Sequence, residues 1–207
     1  MLYIPAPFFT GQDVRTYTVC DPGNSCSTAT LTITVSAAPS TTDELYLSST
    51  PLGGSTYGFD TAPAAVQNPE PDVDSDTKPG LTLKKDDPPL VWVHPVPVNT
   101  TLSGPVTLDL FSTRHDFENN KRISLAATLL VCDAGGLNCS TLLQRSWTFD
   151  PWNVGGASTW TERQLGLGSL STSVIAGREL RLVIDVTHDT LWIAMSGSRP
   201  SSLVLSR

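Results

Sequence analysis

Basic residues are scarce in this 207-residue chain: 13 Lys and Arg stand against 20 Asp and Glu, a formal net charge of -7. Charge of either sign is low as well, at 16% of residues, below the ~25% of ordinary soluble domains. So few cations give no electrostatic footprint for a polyphosphate, which argues against nucleic-acid binding. Long hydrophobic runs are missing too. The longest, such as residues 125–131, fall far short of the ~18–20 residues that span a bilayer, so no membrane insertion is expected. No window carries a sustained 3.6-residue apolar stripe, which leaves little room for helix. What is present is 39% hydrophobic residues, enough to bury a core, with Ser and Thr supplying much of the polarity.

Four cysteines fall as two close pairs, Cys20/Cys26 in CDPGNSC and Cys132/Cys139 in CDAGGLNC. In each, Asp follows the first Cys and Gly, Pro or Asn fills the interior, the chemistry of a turn between antiparallel strands. Two short-range disulfides are expected, one within each pair. The alternatives are free thiols, or one four-thiolate zinc site, which the wide C-x5-C and C-x6-C spacings disfavour. Disulfides imply an oxidising compartment, hence a secreted or cell-surface protein. The opening MLYIP has neither a basic n-region nor a long apolar h-region. The chain is therefore expected to be the mature part of a larger exported protein, or to begin where a gene or cloning boundary was drawn.

In TATLTITV (28–35) apolar residues hold every odd position and Thr every even one, and TYTV (16–19) alternates likewise. This is the period of half-buried strands. By this parity Cys20 and Cys26 share the Thr face, so their bridge would clamp a hairpin outside any core. The stretch LYIPAPFFTGQD (2–13), continuing through TYTVCDPGNSCSTATLTITV, resembles the C-terminal half of the cadherin-like or immunoglobulin-like repeats of large bacterial surface proteins. It matches their Tyr-x-Pro, Phe-x-Gly-x-Asp, Tyr-Thr-Val and final Thr-rich strand, with Arg15 where an aromatic is more usual. The resemblance implies half of a β-sandwich, whose uncovered apolar face and strand edges need further strands from elsewhere.

SAAPSTT (36–42) has the composition of a linker. The expected organisation is a partial immunoglobulin-like repeat at 1–36, a linker at 37–42 and a β-sandwich domain at 43–207. Residues 51–97 hold nine of the 16 prolines and read as long loops with brief edge strands, because Pro cannot donate into a central ladder. Beyond Gly104 strands become regular: Val106, Leu108 and Leu110 share one face, as do Ile123, Leu125, Ala127, Leu129 and Val131, and again Leu180, Leu182, Ile184 and Val186. Eight to ten short strands predict an all-β fold, an antiparallel sandwich of jelly-roll type. The opening LYL (45–47), VTLDLFS (106–112), GGASTW (155–160), IAGREL (175–180) and LWIA (191–194) together resemble the galactose-binding-like jelly-roll modules of bacterial extracellular proteins.

Candidate sites are few. Asp72, Asp74 and Asp76, with Glu70 and Asn68 beside them, form an acidic loop. Such a loop either gathers hard oxygens around a structural Ca²⁺ or is simply solvated; it lacks the Gly and closing Glu of an EF-hand. Asp86-Asp87 before two prolines reads as a turn. All five tryptophans lie in the second unit. Trp152 and Trp160, with Asn153, are candidates to stack and hydrogen-bond a glycan, against the alternative that the rings serve packing. No G-x-S-x-G, H-E-x-x-H or P-loop pattern is present and the three histidines are scattered, so no enzyme is expected. Asn99 and Asn138 head N-glycosylation patterns. The functional expectation is a non-catalytic structural or assembly module of a bacterial secreted or cell-surface protein. It would associate with itself or with neighbouring repeats by strand complementation, building oligomers or fibres. The alternative is a carbohydrate-binding or adhesion module with a structural calcium; a hydrolase ranks last.

Overall fold

The computed structural model describes residues 11–35, 42–62, 81–114, 122–150, 160–195 and 200–207. These are strands and turns throughout, an all-β architecture with no helix among the described residues. The chain divides into two compact units, Met1–Ser40 and Thr41–Arg207.

In the first unit, strands β1 (Gly11–Cys20) and β2 (Cys26–Val35) form an antiparallel hairpin. Thr16, Thr18 and Cys20 lie opposite Thr30, Thr28 and Cys26, while Tyr17 and Val19 lie opposite Ala29 and Ser27. The Thr face and the apolar face are therefore those that the alternation predicts. The turn is built by Asp21, whose carboxylate accepts the N–H groups of Gly23 and Ser25 at 2.9 Å each. Asn24 supplies the left-handed residue at φ 64°, a conformation Asn tolerates. A Cys20–Cys26 disulfide closes the loop. Tyr17, Val19 and Leu31 are exposed, with Val14 exposed on the opposite side.

The second unit contains β3 (Thr42–Gly53), β4 (Thr56–Asp60), β5 (Leu81–Lys84), β6 (Leu90–Pro95), β7 (Thr100–Arg114), β8 (Ile123–Asp133), β9 (Leu137–Phe149), β10 (Thr161–Val174), β11 (Arg178–His188), β12 (Thr190–Ile193) and β13 (Ser202–Ser206). One layer runs β10-β7-β13-β3, with β12 and β5 added beyond β13 on the same edge of β7. The other runs β4-β6-β11-β8-β9. The hairpin of β3 with β4 joins the layers, so the 11 strands form one continuous sheet folded over its own core.

The core is the sum of the inward rows. Val106, Leu108 and Leu110 from β7 meet Ile123, Leu125, Ala127 and Leu129 from β8 and Leu180, Leu182, Ile184 and Val186 from β11, all buried. β3 bends where its register with β4 shifts between Leu47 and Pro51. The bend frees the Ser48 carbonyl from the ladder, and the fully buried Trp92 donates its indole N–H to it at 3.0 Å. Trp92 also stacks on Tyr57, with centroids 5.7 Å apart. Gly104 is needed at φ 120°, where a Cβ would come within 2.9 Å of the Ser206 Cβ.

Three expectations need correction. β6, inside the proline-rich stretch, is no edge strand: it lies between β4 and β11, with Leu90 and Trp92 in the core. Its prolines sit before the strand (Pro88, Pro89) and at its last position (Pro95), where no central ladder bond is lost. The sandwich has more strands than the eight to ten expected, because residues 51–60 continue β3 and form β4 instead of looping. The sandwich is also not wholly antiparallel, since β4 pairs with β6 in parallel.

Candidate functional site

Three inward rows of the sandwich run out at one end, each in a polar residue. On β3 the row Leu47, Leu45 ends in Asp43; on β6 the row Leu90, Trp92 ends in His94; beyond β13 the row Leu203, Leu205 ends in Arg207. The side-chain period of two carries these groups to the mouth of the core. There they border a cavity of about 240 Å³ whose remaining walls include Leu102, Leu180, Pro95, Val96 and Pro97. Arg207 and Asp43 are paired with one another.

His94 is half-buried, with the Phe59 ring edge-on at 6.4 Å. Burial first, and the Arg207 charge second, hold its pKa below the ordinary histidine value, against an opposing pull from Asp43. The imidazole is therefore neutral at pH 7 and can donate from one nitrogen and accept at the other. Val98, 61% exposed, and Thr100 also line the cavity. The loop carrying Val98 is tied to the β10–β11 turn, where the Asn99 side chain accepts the Ala176 N–H at 2.8 Å and the Val96 carbonyl accepts the Gly177 N–H at 2.9 Å.

The residues singled out from sequence lie elsewhere. Asp72, Asp74, Asp76, Trp152 and Asn153 fall outside the described residues, and Trp160 is half-buried just before β10. Among the described residues no cluster of His, Cys, Asp or Glu could hold a metal ion. Arg163 packs its guanidinium over the Phe149 ring at 4.0 Å. Trp147 is partly buried against the core, with the Arg145 guanidinium 6.0 Å from its centroid. Asp86-Asp87 does form a turn, with Asp87 N–H donating to the Lys84 carbonyl at 3.2 Å. On the outer side of β7, burial, Glu162 and Glu44 in that order raise the pKa of Asp109.

The second disulfide, Cys132–Cys139, closes the β8–β9 turn, so all four cysteines are bonded. This suits an oxidising compartment. No helix among the described residues is long and apolar enough to cross a membrane.

The architecture defines an all-β sandwich unit preceded by a disulfide-closed hairpin. No protein-family model and no curated protein matches the sequence. Among solved structures, the fold is similar to part of a CocE/NonD family hydrolase from Staphylococcus aureus, with a TM-score of 0.61 and 12% identity over 86% of this chain and 39% of that one. It is likewise similar to part of an aminopeptidase from a Thaumarchaeota archaeon, with a TM-score of 0.56 and 10% identity over 90% of this chain and 39% of that one. An α-amino acid ester hydrolase follows at 0.52 and 14%, over 80% of this chain and 36% of its own. The chain thus spans less than two fifths of the length of each, and at these identities the likeness is one of fold alone.

Proposed function

We propose that the chain is a non-catalytic structural and assembly module of a bacterial secreted or cell-surface protein. In this reading β1 and β2 are part of an immunoglobulin-like repeat that is completed by strands of a neighbouring repeat or of another copy. The carrying observation is the hairpin itself: Tyr17, Val19 and Leu31 are exposed on a two-stranded sheet. Two strands alone are marginal in water, and an uncovered apolar face with free edges favours pairing. Light scattering across a concentration series tests it. Mass should rise with concentration in the wild type and fall back in Tyr17→Lys/Leu31→Lys; a strict monomer at every concentration sinks the assembly reading.

The solved structures favour a second reading, in which the sandwich accompanies a hydrolytic domain within a larger polypeptide. The two readings separate on the reading frame that encodes the chain, which would continue into further β-repeats in one case and into a catalytic domain in the other. Hydrolysis of aryl esters or aminoacyl anilides by the chain itself would overturn the non-catalytic assignment. The carbohydrate-binding alternative with structural calcium has only Trp160 within the described residues. Glycan binding lost in Trp160→Ala, or melting that shifts with calcium, would revive it.

A further inference from the structure

The cavity at the end of the sandwich is lined mainly by apolar side chains, with Asp43, His94, Thr100 and Arg207 among them. The inward rows are buried, with Leu47, Leu108, Leu129 and Leu182 wholly inaccessible. Protein interiors leave few voids larger than a water molecule, yet an opening of about 240 Å³ lies among Leu45, Leu102, Leu180 and Leu205. An apolar cavity of ~150 Å³ already admits benzene, so this one has room for a single ring with a small substituent.

The walls contain no Trp, Tyr or Phe. That removes the stacking platform on which a sugar would lie, and favours an apolar ring over a carbohydrate. Charge narrows the class further. Arg207 is already paired with Asp43, so among the described lining residues its charge is largely balanced, and a carboxylate or phosphate entering the cavity would compete with Asp43 for it. His94 is different: its main chain pairs with Leu180 in the ladder, while its imidazole borders the cavity with the Phe59 ring edge-on. The imidazole can meet a hydroxyl, which can both donate and accept. Val98 and the prolines Pro95 and Pro97 add apolar lining beside His94.

We propose that this cavity binds a small, uncharged one-ring alcohol of the phenol class, with the ring among Leu45, Leu102, Leu180 and Leu205 and the hydroxyl hydrogen-bonded to His94. The site belongs to the sandwich and does not depend on self-association.

Methyl-resolved NMR titration of the full chain with p-cresol, toluene and 4-methylbenzoate tests it. Saturable shifts at the methyls of these four leucines are expected with p-cresol. Toluene should bind about fivefold to tenfold more weakly, the difference that one net hydrogen bond supplies, and 4-methylbenzoate weakest of all. His94→Leu should bring p-cresol down to the level of toluene, whereas His94→Gln, which keeps a donor and an acceptor, should retain most of the preference. Absence of saturable shifts, equal binding of p-cresol and toluene, or preference for the benzoate would each overturn the assignment. Should His94→Leu fail to fold, the wild-type ranking and the Gln variant still decide.

Discussion

A loop closed by a disulfide across two antiparallel strands occurs twice in this chain, in opposite settings. Around Cys20 and Cys26 the hairpin is exposed along nearly its whole length. Around Cys132 and Cys139 one strand, β8, buries every second residue, and Cys132 itself is wholly inaccessible. The second turn is also tied to its neighbours: Glu179 accepts the Gly135 N–H at 3.0 Å and pairs with Arg181 at 2.8 Å, while Arg178 pairs with Asp133 at 3.2 Å. Similar local sequences thus give a clamp that is one restraint among many in the sandwich, and the main covalent restraint in the hairpin. Turn chemistry and Cys spacing specify a closed loop, but not what it is packed against.

The largest effect should separate the two regions by their aromatics. All five tryptophans lie beyond residue 90, so tryptophan fluorescence reads the sandwich alone. Trp92→Ala removes a fully buried ring, its stack on Tyr57 and its bond to Ser48, and should lower sandwich stability by about 3–5 kcal/mol in denaturant melts. Tyr17→Ala, at an exposed position, should leave that transition within about 0.5 kcal/mol. A comparable loss from Tyr17→Ala would erase the contrast between the regions.

The disulfides give the next test. Replacing Cys132 and Cys139 with Ser should cost the sandwich about 2 kcal/mol by the loop-closure argument, visible as a lower urea midpoint by the same fluorescence. The Cys20/Cys26 double variant should leave that midpoint in place and instead raise amide exchange across β1 and β2. If both variants shift the fluorescence transition equally, the two clamps are not independent.

The smallest effect is in pH, and it too belongs to the sandwich, since the three histidines all lie beyond residue 90. His94 is held below its ordinary value by burial and then by Arg207. The unfolded chain therefore takes up the proton first as pH falls. The stability that His94 contributes is fully present above its unfolded value of ~6.5 and is lost as pH drops through the lower folded value. Midpoints measured from pH 7.5 to 5 should decline less steeply in His94→Gln than in the wild type. Parallel slopes would mean that His94 is not in the half-buried setting described.

Legibility from sequence followed distance along the chain. The row Ile123, Leu125, Ala127, Leu129, Val131 needed only its own period of two to be placed inward, and the Thr and apolar faces of β1 and β2 needed only theirs. The segment around Trp92 was harder. Its flanking prolines suggest loops and edges, yet the bend in β3, the stack of Tyr57 and the parallel pairing with β4 draw β6 into the middle of a layer. The cavity left the faintest signal. His94, Asp43 and Arg207 each continue a run of alternating apolar residues by one more step, visible in SSLVLSR and in DELYL, but nothing local says that three such steps converge.

What the sequence by itself determined is the local part: β-strand periodicity, the chemistry of the two closed turns, the scarcity of cations, and the absence of any long apolar run. Each rests on neighbours within a few residues, where backbone sterics and side-chain alternation decide the outcome. Only the tertiary structure decided that β6 is central, that one hairpin is embedded and the other exposed, and that three row ends from β3, β6 and β13 surround one opening. Those outcomes depend on strand pairing between segments up to 164 positions apart, such as Thr42 with Ser206. At that range the favourable terms are burial and ladder hydrogen bonds summed over the whole sheet.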